Sequence, residues 1–482
     1  MEFLTFIFNH LVFINLILAI VIVFFQRKDP KSVWAWLLIL FFIPVLGFIF
    51  YLLLGTDMNK ARLFRTKEIE DKLSDAISQQ QAVFRSNGLT QLHPDLAVYS
   101  DLVLYHLQVS GAILTDDNDV RIITDGREKF RQLIEDLSNA ESFIHIQYYI
   151  IKDDEVFDAI RKVLLEKAAQ GVAVRILFDS MGCRSVKSAM WKKLRNAGIE
   201  TAEFFPAILG RLQLRVNYRN HRKIVVIDGK IGYVGGFNVA REYVGLDRKF
   251  GYWRDTHLRI VGGAVQALQG RFLLDWNYAN RGHALEFEKY ILTEKSPVSG
   301  GCSMQIVTSG PDTRTQSIRD TYLRLIHKAV RSIYIQTPYF IPDESILSAL
   351  LVAARSGIEV NIMIPCKPDH PFVYWATYSY VGDLVLAGAN CYTYENGFIH
   401  AKGLIVDEMA LCYGTANMDI RSFALNFEVN AVIYDRNKAE EMAACFRNDL
   451  KYCRQITRNG YLSRSLPLRV KEQVCRLLSP LL

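Results

Sequence analysis

The sequence predicts an α/β protein. Two tandem α/β repeats pack as a pseudo-twofold pair, and a two-helix transmembrane hairpin precedes them. Three observations carry that expectation. Two long apolar runs, residues 3–25 and 34–54, fill the N-terminus. Beyond residue 100 one succession of patterns occurs twice: a strand, a helix, a glycine-led strand, then a histidine-bearing hairpin. Within it, "HRKIVVID" at 221–228 returns as "HAKGLIVD" at 400–407.

Either apolar run suffices to cross ~30 Å of hydrocarbon as a helix. A secretory signal is the rival for the first run. It needs a positive start, a shorter core and an A-x-A site, whereas this chain begins Met-Glu and has no such site. Two spans so close together are also rare in soluble cores. Residues 1–57 are thus expected to form the hairpin, and residues 58–100 a helical linker. Arg27, Lys28 and Lys31 lie between the runs, and Lys60, Arg62, Arg65 and Lys67 lie after them. With basic residues on both sides, the positive-inside rule barely decides the orientation. The net charge of +7 and pI near 8.8 suit nucleic acid or an anionic membrane, and equally a solvated basic surface. Eight cysteines without a C-x-x-C pair fit free thiols in a reducing compartment. Together with the missing export signal, they predict a body facing the cytosol.

The first repeat is expected at 101–285 and the second at 302–455, joined by a polar linker at 286–301. "FIHIQYYIIKDDE" (143–155) and "SIYIQTPYFIPDE" (332–344) each read as a strand with I-x-I-Q, followed by Asp-Glu. Seven residues separate Gln147 from Asp154, and seven separate Gln336 from Asp343. Glycine-led strands follow from Gly171 and Gly357, and F-x-x-D recurs on helical patterns as Phe272/Asp275 and Phe446/Asp449. Such alternation predicts a parallel or mixed sheet. The tail, 456–482, is amphipathic. Val470, Val474, Leu477, Leu478 and Leu481 fall at helical spacing beside Lys471 and Arg476. That pattern fits a helix in the membrane interface and, equally, one packed on the body.

Strand alternation sends His221 and Lys223 to one face, and likewise His400 and Lys402. A glycine follows each histidine by fourteen residues (Gly235, Gly414), and an asparagine by seventeen (Asn238, Asn417). Asp228-Gly229 is a two-residue hairpin signal. That register pairs Ile227 with Lys230 and sets His221 opposite Gly236; the same count sets His400 opposite Thr415. Imidazole, ammonium, amide and backbone N–H all donate to phosphate oxygens. The strand is built to hold a phosphodiester. Two histidines suit a two-step exchange, one attacking phosphorus and the other serving as acid and then base. Each needs an orienting carboxylate, and the candidates are Asp255 and Glu428, each roughly thirty residues after its histidine. Asp228 and Asp407, at turns, are expected to hold the hairpins. His145 and His257 sit in strand patterns and read as core or as support behind the site. No H-E-x-x-H, Cys/His cluster or Walker loop occurs, so no metal, nucleotide or other cofactor is expected.

Paired H-x-K-x4-D motifs followed by G-[GST]-x-N resemble the phospholipase D superfamily. The fuller pattern is similar to the bacterial cardiolipin synthases over nearly the whole chain. It includes "NYRNHRKIVVIDGKIGYVGGFN", "IQTPYFIPD", "GTANMDIRSF" and the closing "RLLSPLL". The resemblance implies two phospholipase D-like repeats and a multi-pass enzyme of the bacterial cell membrane. It implies phosphatidyl transfer between two phosphatidylglycerols through a phosphohistidine, giving cardiolipin and glycerol. It implies an active site of His221, Lys223, Asp228, His400, Lys402 and Asp407, and it favours His221 as nucleophile. Gly236 against Thr415 is an asymmetry between the half-sites. The nearest rival is a membrane-bound phosphodiesterase cutting phospholipid or nucleic acid, for which the basic run 210–223 could track a backbone. The apolar N-terminus and tail favour lipid, with no nucleic acid expected. A non-catalytic scaffold is the remote alternative, disfavoured because both histidines and both lysines are present. Phe237, Tyr339, Phe340 and Trp375 are expected to exclude water. Arg215, Arg219 and Arg222 are expected to hold an anionic lipid or form a solvated face. Nothing in the sequence specifies an oligomeric state.

Overall fold

Each I-x-I-Q motif folds as the central strand of a sheet. The computed structural model describes residues 2–24, 30–43, 94–206, 218–280, 282–292, 300–313 and 315–479, with scattered positions between 45 and 82. The chain divides into two compact units, residues 1–63 with 205–218, and residues 64–204 with 219–482.

The first unit contains α1 (Glu2–Phe24) and α2 (Pro30–Phe42). Among the described residues no helix is long and apolar enough to cross a membrane. Side chains of α1 are described at His10 and from Val12 onward. Helix α2 has 13 residues. At about 1.5 Å per residue it rises only about 20 Å. The expected spans 3–25 and 34–54 therefore run past the described residues. So do Arg27, Lys28, Lys60, Arg62, Arg65, Lys67, Arg215 and Leu481, most of the linker 58–100, and residues 293–299.

In the second unit the first repeat supplies β1 (Thr115–Asp125), β2 (Phe143–Tyr148), β3 (Ala173–Asp179), β4 (Glu200–Phe204), β5 (Arg219–Asn220), β6 (Ile224–Ile227), β7 (Ile231–Gly235) and β8 (Trp253–Val261). The second repeat supplies β9 (Cys302–Ser309), β10 (Ser332–Gln336), β11 (Phe340–Ile341), β12 (Glu359–Pro365), β13 (Asn390–Tyr394), β14 (Phe398–Ile399), β15 (Gly403–Val406), β16 (Ala410–Gly414), β17 (Met418–Asp419), β18 (Asn426–Ile433) and β19 (Cys453–Gln455). Parallel β4, β3 and β2 continue antiparallel into β6, β7 and β8. The order β13, β12, β10, β15, β16, β18 repeats that arrangement. β1 pairs with both β8 and β9, and β9 pairs with β18, so strand pairing runs unbroken from one repeat to the other.

The Asp-Glu after each central strand is a helix start. Asp154 accepts from the N–H of Val156 and caps α3 (Glu155–Ala169), and Asp343 accepts from Ile346 and caps α4 (Glu344–Arg355). All six residues of β2 and all five of β10 are buried, so each strand is covered on both faces, with His145, Gln147 and Gln336 among the buried residues. Ile144, Ile176 and Val225 pack with Phe157 and Leu164 in the first core; Ile335, Ile362 and Leu404 pack with Leu325 and Leu350 in the second.

The hairpin register corrects the expected one by a residue. Ile227 pairs with Ile231 and Val406 with Ala410, so each loop has three residues. The cause lies in the aspartates. The Asp228 carboxylate accepts from the N–H groups of Glu141, Ser142 and Phe143 at 2.7–2.8 Å. Asp407 does the same for Val330, Arg331 and Ser332 at 2.7–2.9 Å. The turn is thereby pinned to the start of β2 or β10. Asp228 takes a φ of 53° and Asp407 a φ of 54°. Asp tolerates that left-handed region better than most residues. His221 and His400 consequently lie ahead of β6 and β15, not opposite Gly236 and Thr415.

Candidate active site

Each histidine is held by the repeat to which it does not belong. β5 runs parallel to the start of β18, and the His221 N–H donates to Phe427 O at 2.9 Å. β14 runs parallel to the start of β8, and the His400 N–H donates to Arg254 O at 2.7 Å. The next residue along each supporting strand is the carboxylate. His221 Nδ1 lies 3.0 Å from both oxygens of Glu428, and His400 Nδ1 lies 2.6 Å from Asp255 Oδ2. The sequence reading assigns each carboxylate to the histidine of its own repeat; the structure exchanges them. Parallel pairing across the repeats is the reason, and no local spacing encodes it.

Both lysines are buried, and neither is among the residues lining the cavity, so each lies behind its histidine. Lys223 Nζ donates to His221 O at 2.7 Å. Lys402 Nζ contacts His400 O, sits 2.6 Å from His400 Nδ1, and stands 3.6 Å from Asp255. Burial pushes Lys223 down to about 7 and Lys402 to about 8, against the pull of Glu428 and Asp255. Burial and the Lys402 charge hold His400 at about 4, and burial also lowers His221. Burial alone would raise Asp255, but Lys402 and His400 outweigh it and the carboxyl stays below its usual range. A carboxylate oxygen at each Nδ1 favours the Nδ1–H tautomer, which leaves each Nε2 lone pair available.

Gly236 makes room for a carboxylate. A Cβ there would stand 1.9 Å from Asp255 Oδ1. Thr415 turns its hydroxyl to the backbone of Val429, accepting from its N–H at 2.9 Å and donating to its carbonyl at 3.2 Å. Neither residue lines the cavity. The expected places of these two residues opposite the histidines, and the half-site asymmetry read from them, are thereby corrected.

The cavity, about 430 Å³, is lined by both histidines, Asn238 and Asn417. Asn238 Oδ1 accepts from Ile150 N–H and its amide donates to the Tyr243 hydroxyl. Asn417 Oδ1 is buried without a partner among the described residues. Around His221 the wall is polar: Tyr149, Arg219, Asp419, Arg421, Ser422 and Asn426. Around His400 it is more aromatic, with Tyr243 and Trp253 beside the imidazole and Tyr339, Asp369 and His370 completing the wall. Burial lifts Asp419 to about 6. Tyr149 meets the His221 ring edge-on at 5.0 Å, and Trp253 lies 5.1 Å from His400. Tyr149, Trp253 and Arg421 are not singled out by the sequence reading. Their only signal is adjacency to the repeated motifs.

The other expected residues separate. Tyr339 lines the cavity, Phe237 and Phe340 are core, and Trp375 belongs to a separate surface groove. Arg219 lines the cavity with Asp179 3.6 Å from its guanidinium. Arg222 is buried and clamps Asp275, both oxygens at 2.8 Å, so it holds no lipid. Gln147 binds that same carboxylate; in the second repeat Gln336 binds Asp449, which also pairs with Arg254 from β8 of the first repeat. The F-x-x-D aspartates thus tie the central glutamines to arginines beside each histidine. His145 stacks on Phe272 in the core, and His257 is fully buried. Asp228 and Asp407 lie outside the cavity lining. Among the described residues no three His, Cys, Asp or Glu side chains are grouped to hold a metal ion.

Residues 133–255 and 322–450 match the family described as cardiolipin synthase, phospholipase D-like domain. The chain belongs to that family. Residues 13–55 match the phospholipase D-nuclease N-terminal family. Over 478 residues the chain is 50% identical to the major cardiolipin synthase ClsA of Bacillus subtilis (strain 168), covering 97% of each. It is 48% identical over 470 residues to the cardiolipin synthase of Oceanobacillus iheyensis, again covering 97% of each. The phosphatidylserine synthase of Haemophilus influenzae Rd KW20 shares the fold, with a TM-score of 0.57 at 15% identity over 75% of this chain and 95% of that one. Like these cardiolipin synthases, the chain is a phosphatidyltransferase of the phospholipase D type.

Proposed function

We propose that the enzyme converts two phosphatidylglycerols into cardiolipin and glycerol at the His221–His400 cavity. His221 Nε2 attacks the phosphorus of one phosphatidylglycerol, and His400 protonates the departing glycerol. The glycerol hydroxyl of a second phosphatidylglycerol then gives its proton to His400, attacks the phosphohistidine and frees His221. One phosphodiester replaces another, so no nucleoside triphosphate is needed. Asn238 and Asn417 receive the phosphate oxygens, Lys223 and Lys402 supply positive charge from behind the histidines, and the phosphate charge raises the pKa values of lysines and imidazoles alike. Asp255 and Glu428 orient the imidazoles, while Asp228 and Asp407 hold the hairpins. Tyr243, Trp253 and Tyr339 limit access of water to the phosphohistidine. The observation that carries this reading is the exchange of carboxylates between repeats, which gives one cavity two histidine–carboxylate pairs. Residues 1–57 tether the enzyme as a transmembrane hairpin, a reading supported by the apolar runs and the N-terminal family match, and the body faces the cytosol.

The test is product analysis by mass spectrometry. Full-length enzyme with phosphatidylglycerol vesicles alone should give cardiolipin and glycerol in equal amounts with little phosphatidic acid, and His221→Ala or His400→Ala should abolish steady-state turnover. Phosphatidic acid as the main product at saturating lipid would make the protein a phospholipase. For the tether, deleting residues 1–54 should leave folded protein with weaker membrane attachment, and proteolysis of the body from outside intact cells would reverse the orientation.

A further inference from the structure

The C-terminal helix α5 (Leu466–Leu478) has one face committed to the body and another that the catalytic cavity leaves unused. Glu472 and Cys475 are buried, Glu472 binds Arg464 at 2.9 Å, and Arg476 pairs with Asp383 at 2.7 Å. On the far side Leu466, Val470, Val474 and Leu477 are 73%, 54%, 49% and 80% exposed. At about 100° per residue these four fall within an arc of about 80°. The stripe does not end with the helix. Phe372, 58% exposed, faces Val474 across a shallow groove of about 230 Å³, where Lys471 Nζ lies 4.3 Å over the Trp375 ring. The groove's segment also serves the active site, because His370 and Val373 line the catalytic cavity, as does Ser479 just past the helix. Residues 464–478 carry four basic side chains against the single acidic Glu472.

We infer that this face seats the mouth of the active site on an anionic bilayer. Leu466, Val470, Val474, Leu477 and Phe372 enter the acyl boundary, and Lys471 and Arg469 meet the headgroup phosphates. The occupant is a lipid surface for two reasons. The exposed apolar stripe is bordered by surplus positive charge, and it is continuous with the rim of a cavity whose substrates are anionic lipids. The inference rests on the proposed phosphatidyl transfer for that second reason. Lipid then reaches His221 and His400 from the bilayer without crossing water.

The test uses the full-length enzyme in two arms. Leu477→Trp in vesicles of phosphatidylglycerol with brominated acyl chains should gain a quenchable emission above that of wild type. The triple substitution Val470→Glu, Val474→Glu, Leu477→Glu should lose at least tenfold in cardiolipin synthesis on vesicles. On dihexanoyl-phosphatidylglycerol below its micelle concentration it should stay within twofold of wild type. Added emission from Leu477→Trp that the bromines leave unquenched overturns the inference, as does equal activity of the triple variant and wild type on vesicles. A dimer that dissociates with the triple substitution and shields position 477 from quenching assigns the face to a second copy and also overturns it. Failure of wild type to make cardiolipin from the monomeric lipid counts against the proposed reaction, whereas the quenching arm still decides where the helix lies.

Discussion

Gly236→Ala adds one methyl group in place of a hydrogen, and the structure specifies what it strikes. The backbone of Gly236 is not in the left-handed region, so alanine brings no torsional strain there. Its Cβ would lie 1.9 Å from Asp255 Oδ1, 2.5 Å from Cγ and 2.6 Å from Oδ2, so the carboxylate must move. Asp255 is fully buried, its Oδ1 accepting from Thr256 N–H at 2.8 Å and its Oδ2 from His400 at 2.6 Å. Losing one charge-assisted hydrogen bond costs about 1.5–3 kcal/mol. At about 1.4 kcal/mol per factor of ten, kcat should fall about 10- to 100-fold if the His400 contact is the one lost. The assay is cardiolipin formation on phosphatidylglycerol vesicles across pH, with thermal unfolding measured alongside. A folded protein with reduced kcat is expected, together with a lowered apparent pKa for the His400 step. Wild-type kcat in Gly236→Ala refutes the claim that this glycine exists to seat the carboxylate.

Four further outcomes follow from the same geometry. Lys223 and Lys402, held at about 7 and about 8 in the free enzyme, are cationic below those values and neutral above. kcat/KM should therefore fall as pH rises from about 7 to about 9, while kcat, which reports the phosphate-bound state, persists to higher pH; a flat kcat/KM profile contradicts this. Because these lysines hold protons to about 10.4 when unfolded, their shifts make the lipid-free protein gain stability as pH rises through that window, all else equal. Glu428→Gln should lower kcat by about two to four orders of magnitude through His221, the histidine of the other repeat; in rapid-quench kinetics phosphohistidine formation should slow, and an unchanged rate argues against the crossed pairing. Asp228→Ala strands three N–H groups. It should cost about 2–4 kcal/mol in denaturant unfolding, with specific activity of the folded fraction preserved. Loss of activity without loss of stability would return Asp228 to the chemistry.

Much of the body is legible because the repeat is written twice. Residues 143–155 and 332–344 reveal central strands and helix starts, since an apolar run followed by Asp-Glu has few other physical uses. The histidines, lysines, asparagines and both carboxylates are all visible. What cannot be read is which carboxylate serves which histidine, because that depends on β5 meeting β18 and β14 meeting β8. The partners so joined stand 207 residues apart for His221 and Glu428, and 145 residues apart for His400 and Asp255. The hairpin register fails for a related reason. Asp228-Gly229 looks like a two-residue turn locally, but the Asp228 side chain is committed to backbone N–H groups 85–87 residues earlier. Arg222 reads as a lipid ligand or part of a solvated face because a buried clamp on Asp275 and a basic surface look alike in sequence.

The most direct test of a two-histidine transfer site is to stop the reaction within its first turnover. Full-length enzyme mixed with phosphatidylglycerol carrying labelled phosphorus, quenched in alkali and digested, should yield label on the peptide containing His221. His400→Ala should still form some adduct, more slowly because the leaving glycerol lacks its acid, but should not pass it on efficiently to a second lipid. Label on the peptide containing His400 reverses the two roles. No phosphohistidine in either peptide, while cardiolipin accumulates, contradicts the account.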